Sequence, residues 1–118
     1  MDTANKIKTL AEVVELARVA KAAGKKIVTT NGCFDLLHVG HIAILEWAKA
    51  QGDLLIVGVN SDESVRLLKG AQRPILPAVG RTRVLAGLAA TDYIFTFEGE
   101  SPIPWLRAIA PDIQVKSS

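Results

Sequence analysis

Two histidines three residues apart, His38 and His41, close the segment Thr30-Asn31-Gly32-Cys33-Phe34-Asp35-Leu36-Leu37-His38-Val39-Gly40-His41 at the expected start of a helix. That spacing lets both imidazoles face one side, and Gly40 removes a side chain that would obstruct a ligand. Two rings placed in this way can grip one phosphate. The bland alternative is a pair of ordinary surface or capping histidines, and His-x-Gly-His alone does not choose between the two. A metal or redox role for His38, His41 and Cys33 has less support, because their spacing matches no common zinc site.

Other groups suited to anions are scattered along the chain. Lys69 follows a helical stretch and precedes Gly70, where a lysine on its own is ordinarily just solvated. Arg73 and Arg81 carry planar guanidinium forks that suit bidentate phosphate contacts. Asp35, beside a helix start, can orient the loop or act as a cap, and Asp62 carries the same ambiguity, with a ribose or acceptor contact as a further option. No lone acid reads as a general base. Cys33 is the only cysteine, which excludes an internal disulfide and argues against a thiolate zinc cluster within one chain. Trp47 and Trp105 read as core or edge packing.

These side chains need elements to converge them. A chain of 118 residues with 49% hydrophobic content fits a single domain. Apolar residues recur at helical spacing over about 9–23, with Thr9 and Glu12 as a capping box and Gly24 as the stop. The β-branched run Ile27–Thr30 predicts a strand that Asn31-Gly32 breaks, and an amphipathic helix follows over Val39–Ala50. The nearly continuous apolar run Leu54–Val59 predicts a second strand, buried on both faces. Ser61 can cap a helix through about Leu68, and a loop with Gly70, Pro74 and Pro77 leads to a helix over Arg81–Ala90, whose Ala86–Ala90 end packs closely against the sheet. Tyr93–Phe97 reads as a strand, Pro102–Ile109 as a short helix and Ile113–Val115 as a last strand. The alternation implies an open parallel α/β sheet, whose ligands gather beyond the carboxyl ends of the strands, where the Thr30–His41 segment falls.

Composition excludes several classes. No apolar stretch approaches the roughly 20 residues of a membrane span, and the charged N-terminus does not read as a secretion signal, so the cytosol is the expected location. A net charge of +2 without a run of basic and aromatic residues gives little support to a nucleic-acid groove and suits small anions better.

The Gly32-Cys33-Phe34-Asp35 segment followed by His38-Val39-Gly40-His41 resembles the signature of the cytidylyltransferase-like nucleotidyltransferases, which have a Rossmann-like fold. Asn31–His38, Val59-Asn60-Ser61-Asp62, Leu68-Lys69-Gly70 and Arg73-Pro74-Ile75 look like the adenylyltransferase domains of bacterial ADP-heptose synthases, and the likeness runs from near Leu10 to Lys116. The resemblance implies that a sugar 1-phosphate attacks the α-phosphate of ATP, with Mg²⁺, and releases pyrophosphate. His38 and His41 would polarise the triphosphate and Lys69 would reach over it as a mobile cation. Asn31, the backbone N–H groups of Gly32, Cys33 and Phe34, and Asp35, Gly40, Arg73 and Arg81 would complete the nucleotide site. No resident metal ligands are implied.

The chain departs from the family in two places. Ala78-Val79-Gly80 stands where an acidic partner for Arg81 is common, so a local charge partner is missing. The Gly-Gly-Asp-Tyr-like turn and later nucleotide loop of the family do not follow Lys116, so the C-terminal part is expected to be shortened, with self-association as a homodimer covering the exposed face. The leading expectation is adenylyl transfer to heptose 1-phosphate for ADP-heptose and lipopolysaccharide core synthesis, with a separate sugar kinase in the same pathway. One alternative is a CTP-dependent enzyme acting on glycerol 3-phosphate or a related alcohol phosphate. Another is a catalytically silent nucleotide- or phosphate-binding module.

Overall fold

Four strands, Ile27–Gly32 (β1), Leu54–Asn60 (β2), Tyr93–Phe97 (β3) and Ile113–Val115 (β4), form one parallel sheet in the order β3-β2-β1-β4 in a computed structural model that describes residues 2–116. The chain enters at β1 inside the sheet, winds outward through β2 to β3, then crosses to the far side of β1 as β4. The order reverses beside β1, which is where an open α/β sheet leaves a crevice at its carboxyl ends. This is the expected open parallel, Rossmann-like arrangement.

Side-chain alternation along the strands divides the core in two. Val28, Leu55, Val57 and Ile94 pack against Leu45 and Ala48 of α2 (Val39–Ala50) and Leu85 and Ala86 of α4 (Ala78–Ala86). On the other face Ile27, Ile56, Phe95 and Phe97 meet Val13, Ala17 and Ala20 of α1 (Leu10–Ala22) and Trp105 and Ile109 of α5 (Ile103–Ile109). The remaining helix, α3 (Asp62–Lys69), leaves the carboxyl end of β2 with Ser61 as its cap. Thr9 and Glu12 form the expected capping box on α1.

The amino ends of the strands are closed by three aspartates that repeat one geometry. Asp53, Asp92 and Asp112 each take the N–H of the neighbouring strand's start, from Lys26, Leu55 and Ile27, at 2.7 Å. Each also returns its own N–H to the carbonyl of that same residue, at 2.9, 3.0 and 2.9 Å. Bonds to a charged acceptor are worth roughly 1.5–3 kcal/mol each where they are shielded. The edge of β3 is covered where Lys8 N–H donates to the Ile94 carbonyl at 2.8 Å. The sheet is thus pinned at the amino end and along one edge, while the carboxyl ends of β1 and β2 stay open. Among the described residues no helix is long and apolar enough to cross a membrane.

Several expectations are corrected. β1 runs on through Asn31-Gly32, because both continue the register with β2, opposite Gly58 and Val59. α4 begins at Ala78 behind Pro77 and ends at Ala86, so residues 87–90 are a turn and not a packed helix end. Its stop comes from Thr91, whose hydroxyl donates to the Leu85 carbonyl at 2.8 Å. Trp105 is buried as expected, whereas Trp47 lies on the outer face of α2 and is 56% exposed.

Candidate active site

The loop between β1 and α2 meets the end of α3 and the following loop around an open cleft of about 710 Å³ at the carboxyl ends of β1 and β2. Asn31, Gly32, Cys33, Phe34, Asp35, His38, His41, Lys69 and Arg73 all line it, so nine residues expected from the sequence converge. Gly40 and Arg81 do not line it. Leu36, Asn60 and Val65 do, and sequence reasoning had not chosen them as site residues. Asn60 left a legible signal, since it is the polar end of an otherwise apolar strand on the ligand side of the sheet.

His38 is the N-cap of α2, and the two histidines build its capping box between them. His38 Nδ1 accepts the Gly40 N–H at 3.0 Å, and His41 Nδ1 accepts the His38 N–H at 3.2 Å. The ring centroids lie 4.1 Å apart. A neutral imidazole that accepts at Nδ1 carries its proton on Nε2, so the capping bonds select one tautomer for both rings and leave each an N–H donor. Burial, and then the neighbouring His38, push the His41 pKa below the usual histidine value.

Gly40 acts on this pair from outside the cleft. A Cβ there would come within 2.8 Å of His38 Cε1, so the glycine makes room for the His38 imidazole. Gly32 has a similar origin, since a Cβ on it would approach the Phe34 ring at 3.1 Å. Phe34 has φ 50, in the left-handed region that costs a residue with a Cβ roughly 1–2 kcal/mol. Its ring is buried and sits 5.7 Å from that of His41.

Lys69, which also lines the cleft, ends α3, and no carboxylate pairs with it among the described residues. Gly70 follows with φ 106, a conformation open to glycine that turns the chain out of the helix. Asp35 secures the loop beyond it by accepting the N–H groups of Ile75 and Leu76 at 2.9 Å and Arg73 Nη1 at 3.1 Å. Burial alone would raise the Asp35 pKa, but these backbone bonds, with Arg73 behind them, outweigh it and hold the carboxyl below its usual range. Burial pushes the Cys33 thiol up against the smaller pull of Lys69 and Arg81, so Cys33 is a neutral wall residue.

Arg81 departs most from expectation. Its side chain is fully buried and forms a hub rather than a phosphate clamp. Nε donates to the Leu76 carbonyl at 2.9 Å, Nη1 to those of Cys33 and Asn60 at 2.7 and 2.8 Å, and Nη2 to Asp62 Oδ1 at 2.7 Å. The charge partner absent from the residues just before it is therefore supplied by Asp62, from the start of α3. Asp62 Oδ1 also accepts the Ala78 N–H at 2.8 Å, so the residue serves both the ion pair and the start of α4.

Comparison with known proteins gives the site a lineage. Over 104 residues the chain is 53% identical to the bifunctional protein HldE of Wolinella succinogenes, covering 88% of this chain and 22% of that protein. It is 44% identical over 115 residues to the bifunctional protein HldE of Geotalea uraniireducens, covering 98% and 24%. The chain thus spans under a quarter of the length of these relatives. Among solved structures, the lipopolysaccharide core biosynthesis protein from Thermoplasma volcanium superposes with a TM-score of 0.69 at 28% identity, over 76% of this chain and 72% of that one. The cytidylyltransferase-like family pattern matches residues 29–118, from the middle of β1 through the whole cleft. The chain belongs to the cytidylyltransferase-like family of nucleotidyltransferases.

Proposed function

We propose that this chain transfers AMP from ATP to a sugar 1-phosphate, with heptose 1-phosphate as the acceptor, and releases pyrophosphate. The observation that carries the reading is the pair of Nε2–H imidazoles of His38 and His41 in one cleft with Lys69. The likeness to the lipopolysaccharide core biosynthesis protein of Thermoplasma volcanium supports a heptose-type acceptor. So does the likeness to ADP-heptose synthase domains.

In this reaction an oxygen of the sugar phosphate attacks the α-phosphorus in line. The bond from the α-phosphorus to its bridging oxygen breaks, and that electron pair leaves on pyrophosphate. The nucleophile is already an anion, so no base is needed, in keeping with the absence of an uncommitted carboxylate among the cleft residues described above. What accelerates the step is positive charge and N–H donors held where the leaving group gains charge. His38 and His41 supply fixed donors and Lys69 a flexible cation. Asp35, the cleft's carboxylate, is spent on Arg73 and the loop, so the residues present do not fit a resident Mg²⁺. The ion would enter on the phosphates of ATP.

A sugar kinase activity would supply the 1-phosphate. Self-association as a homodimer belongs to the same reading, motivated by exposed apolar side chains such as Val39, and sedimentation velocity checks it. The decisive assay is pyrophosphate release with ATP or CTP against sugar and alcohol phosphates. Release that needs ATP and a sugar 1-phosphate upholds the proposal. Dependence on CTP and an alcohol phosphate replaces it with the cytidylyl alternative, and nucleotide binding without release replaces it with a silent module.

A further inference from the structure

Arg81 is buried behind the cleft, yet its guanidinium grips the wall of that cleft from the rear. Nη1 donates to the Cys33 carbonyl at 2.7 Å, and the same nitrogen holds the Asn60 carbonyl at 2.8 Å, so one group ties the carboxyl ends of β1 and β2 together. Cys33 and Phe34 both line the cleft, while Arg81 does not. In a planar trans peptide the C=O and the N–H point in opposite directions. A Cys33 carbonyl drawn toward Arg81 therefore turns the N–H of Phe34 away from Arg81, toward the open side. Among the described residues that N–H has no hydrogen-bond partner.

We propose that Arg81 is a positioning residue that fixes the Cys33–Phe34 peptide so that the Phe34 N–H donates to a phosphate oxygen of the nucleotide. The proposal rests on the phosphate-binding reading of the cleft. Three features fit together under it. The left-handed φ of Phe34 is the conformation the turned peptide adopts, and its buried ring anchors the residue from the other side. The guanidinium charge polarises the peptide it holds and strengthens the opposite N–H as a donor. Asp62 Oδ1, on Nη2 at 2.7 Å, balances that charge from outside the cleft, so the cation need not be offset by the ligand. A lysine could not replace this geometry, because one ammonium has no fork to span the Leu76, Cys33 and Asn60 carbonyls and Asp62 at once.

The test is a titration of the ¹⁵N-labelled chain with ATP, following the Phe34 amide and the His38 and His41 rings by NMR. In the wild type the Phe34 amide should move downfield and exchange more slowly with solvent as ATP saturates. In Arg81→Lys the Phe34 response should shrink and ATP affinity fall roughly tenfold or more, while the histidine rings still respond. A wild-type Phe34 amide that stays still while the histidines respond overturns the proposal, and this arm decides even where Arg81→Lys does not fold. A folded Arg81→Lys with wild-type affinity and a full Phe34 response overturns it equally. No response anywhere in the wild type overturns the phosphate reading itself, and this inference with it.

Discussion

His41 Nδ1 accepts the backbone N–H of His38 at 3.2 Å, which makes each histidine of the cleft part of the helix cap that positions the other. Under the proposed function, capping and phosphate contact use different nitrogens of one ring. Substitutions can separate the two roles. In His38→Asn the side chain still offers an oxygen to the helix N-terminus, so stability should stay within about 0.5 kcal/mol of wild type, Asn being among the best N-caps. Turnover should nevertheless fall by roughly 10² to 10³, the loss typical of one transition-state donor. Urea unfolding and pyrophosphate release on the same preparation check both halves.

The lowered pKa of His41 has a definite sign for stability. Its unfolded form takes up a proton near the ordinary value of about 6.5, whereas the folded form resists protonation because of burial and then His38. Between those two values the unfolded state holds more protons, so stability declines as pH falls below about 6.5. NMR titration of the His41 ring should give a midpoint under the ordinary value. His38→Ala should move that midpoint upward, because one of its two causes is removed.

Asp35 titrates with the same sign, in the lower pH range of a carboxyl group. Its folded pKa is held down, so the stability it lends is complete above the ordinary carboxyl range and is lost as pH falls through the lowered value. Asp35→Asn should therefore weaken the fold at neutral pH and flatten the acid limb of its stability profile. The freed loop around Ile75 and Leu76 should also become a site of proteolytic nicking, read by mass spectrometry of limited digests.

Lys69 should show a functional cost without a structural one. It has no carboxylate partner among the described residues and ends its helix at the cleft. Lys69→Met should leave the melting temperature unchanged while turnover drops by about 10². A comparable drop in melting temperature would assign the residue to the fold instead.

At the amino end of the sheet the expectation reverses. Asp92 accepts the Leu55 N–H and Lys49 Nζ, both at 2.7 Å, far in sequence from any cleft residue it could assist. Asp92→Ala should cost roughly 1–3 kcal/mol in stability and leave the KM for ATP at its wild-type value.

By itself the sequence determined what depends on neighbours a few residues away. The histidine pair three apart, the capping box of Thr9 and Glu12, the Ser61 cap and the strands at Leu54 and Tyr93 are all local patterns, and each stands in the structure. The cleft was legible because its strand-to-helix loop is one continuous segment. Tertiary structure decided whatever depends on distant partners. Arg81 looks like any phosphate-seeking arginine until the fold brings it Cys33 from 48 residues away and Asn60 from 21. α4 stops where the Thr91 hydroxyl meets the Leu85 carbonyl, although the apolar run continues past it. Trp47 is a helical tryptophan whose outward face only the packing of α2 on the sheet could reveal. A side chain's reach is local and can be read from residue type, but its partner is set by chain crossings, and those exist only once the sheet has formed.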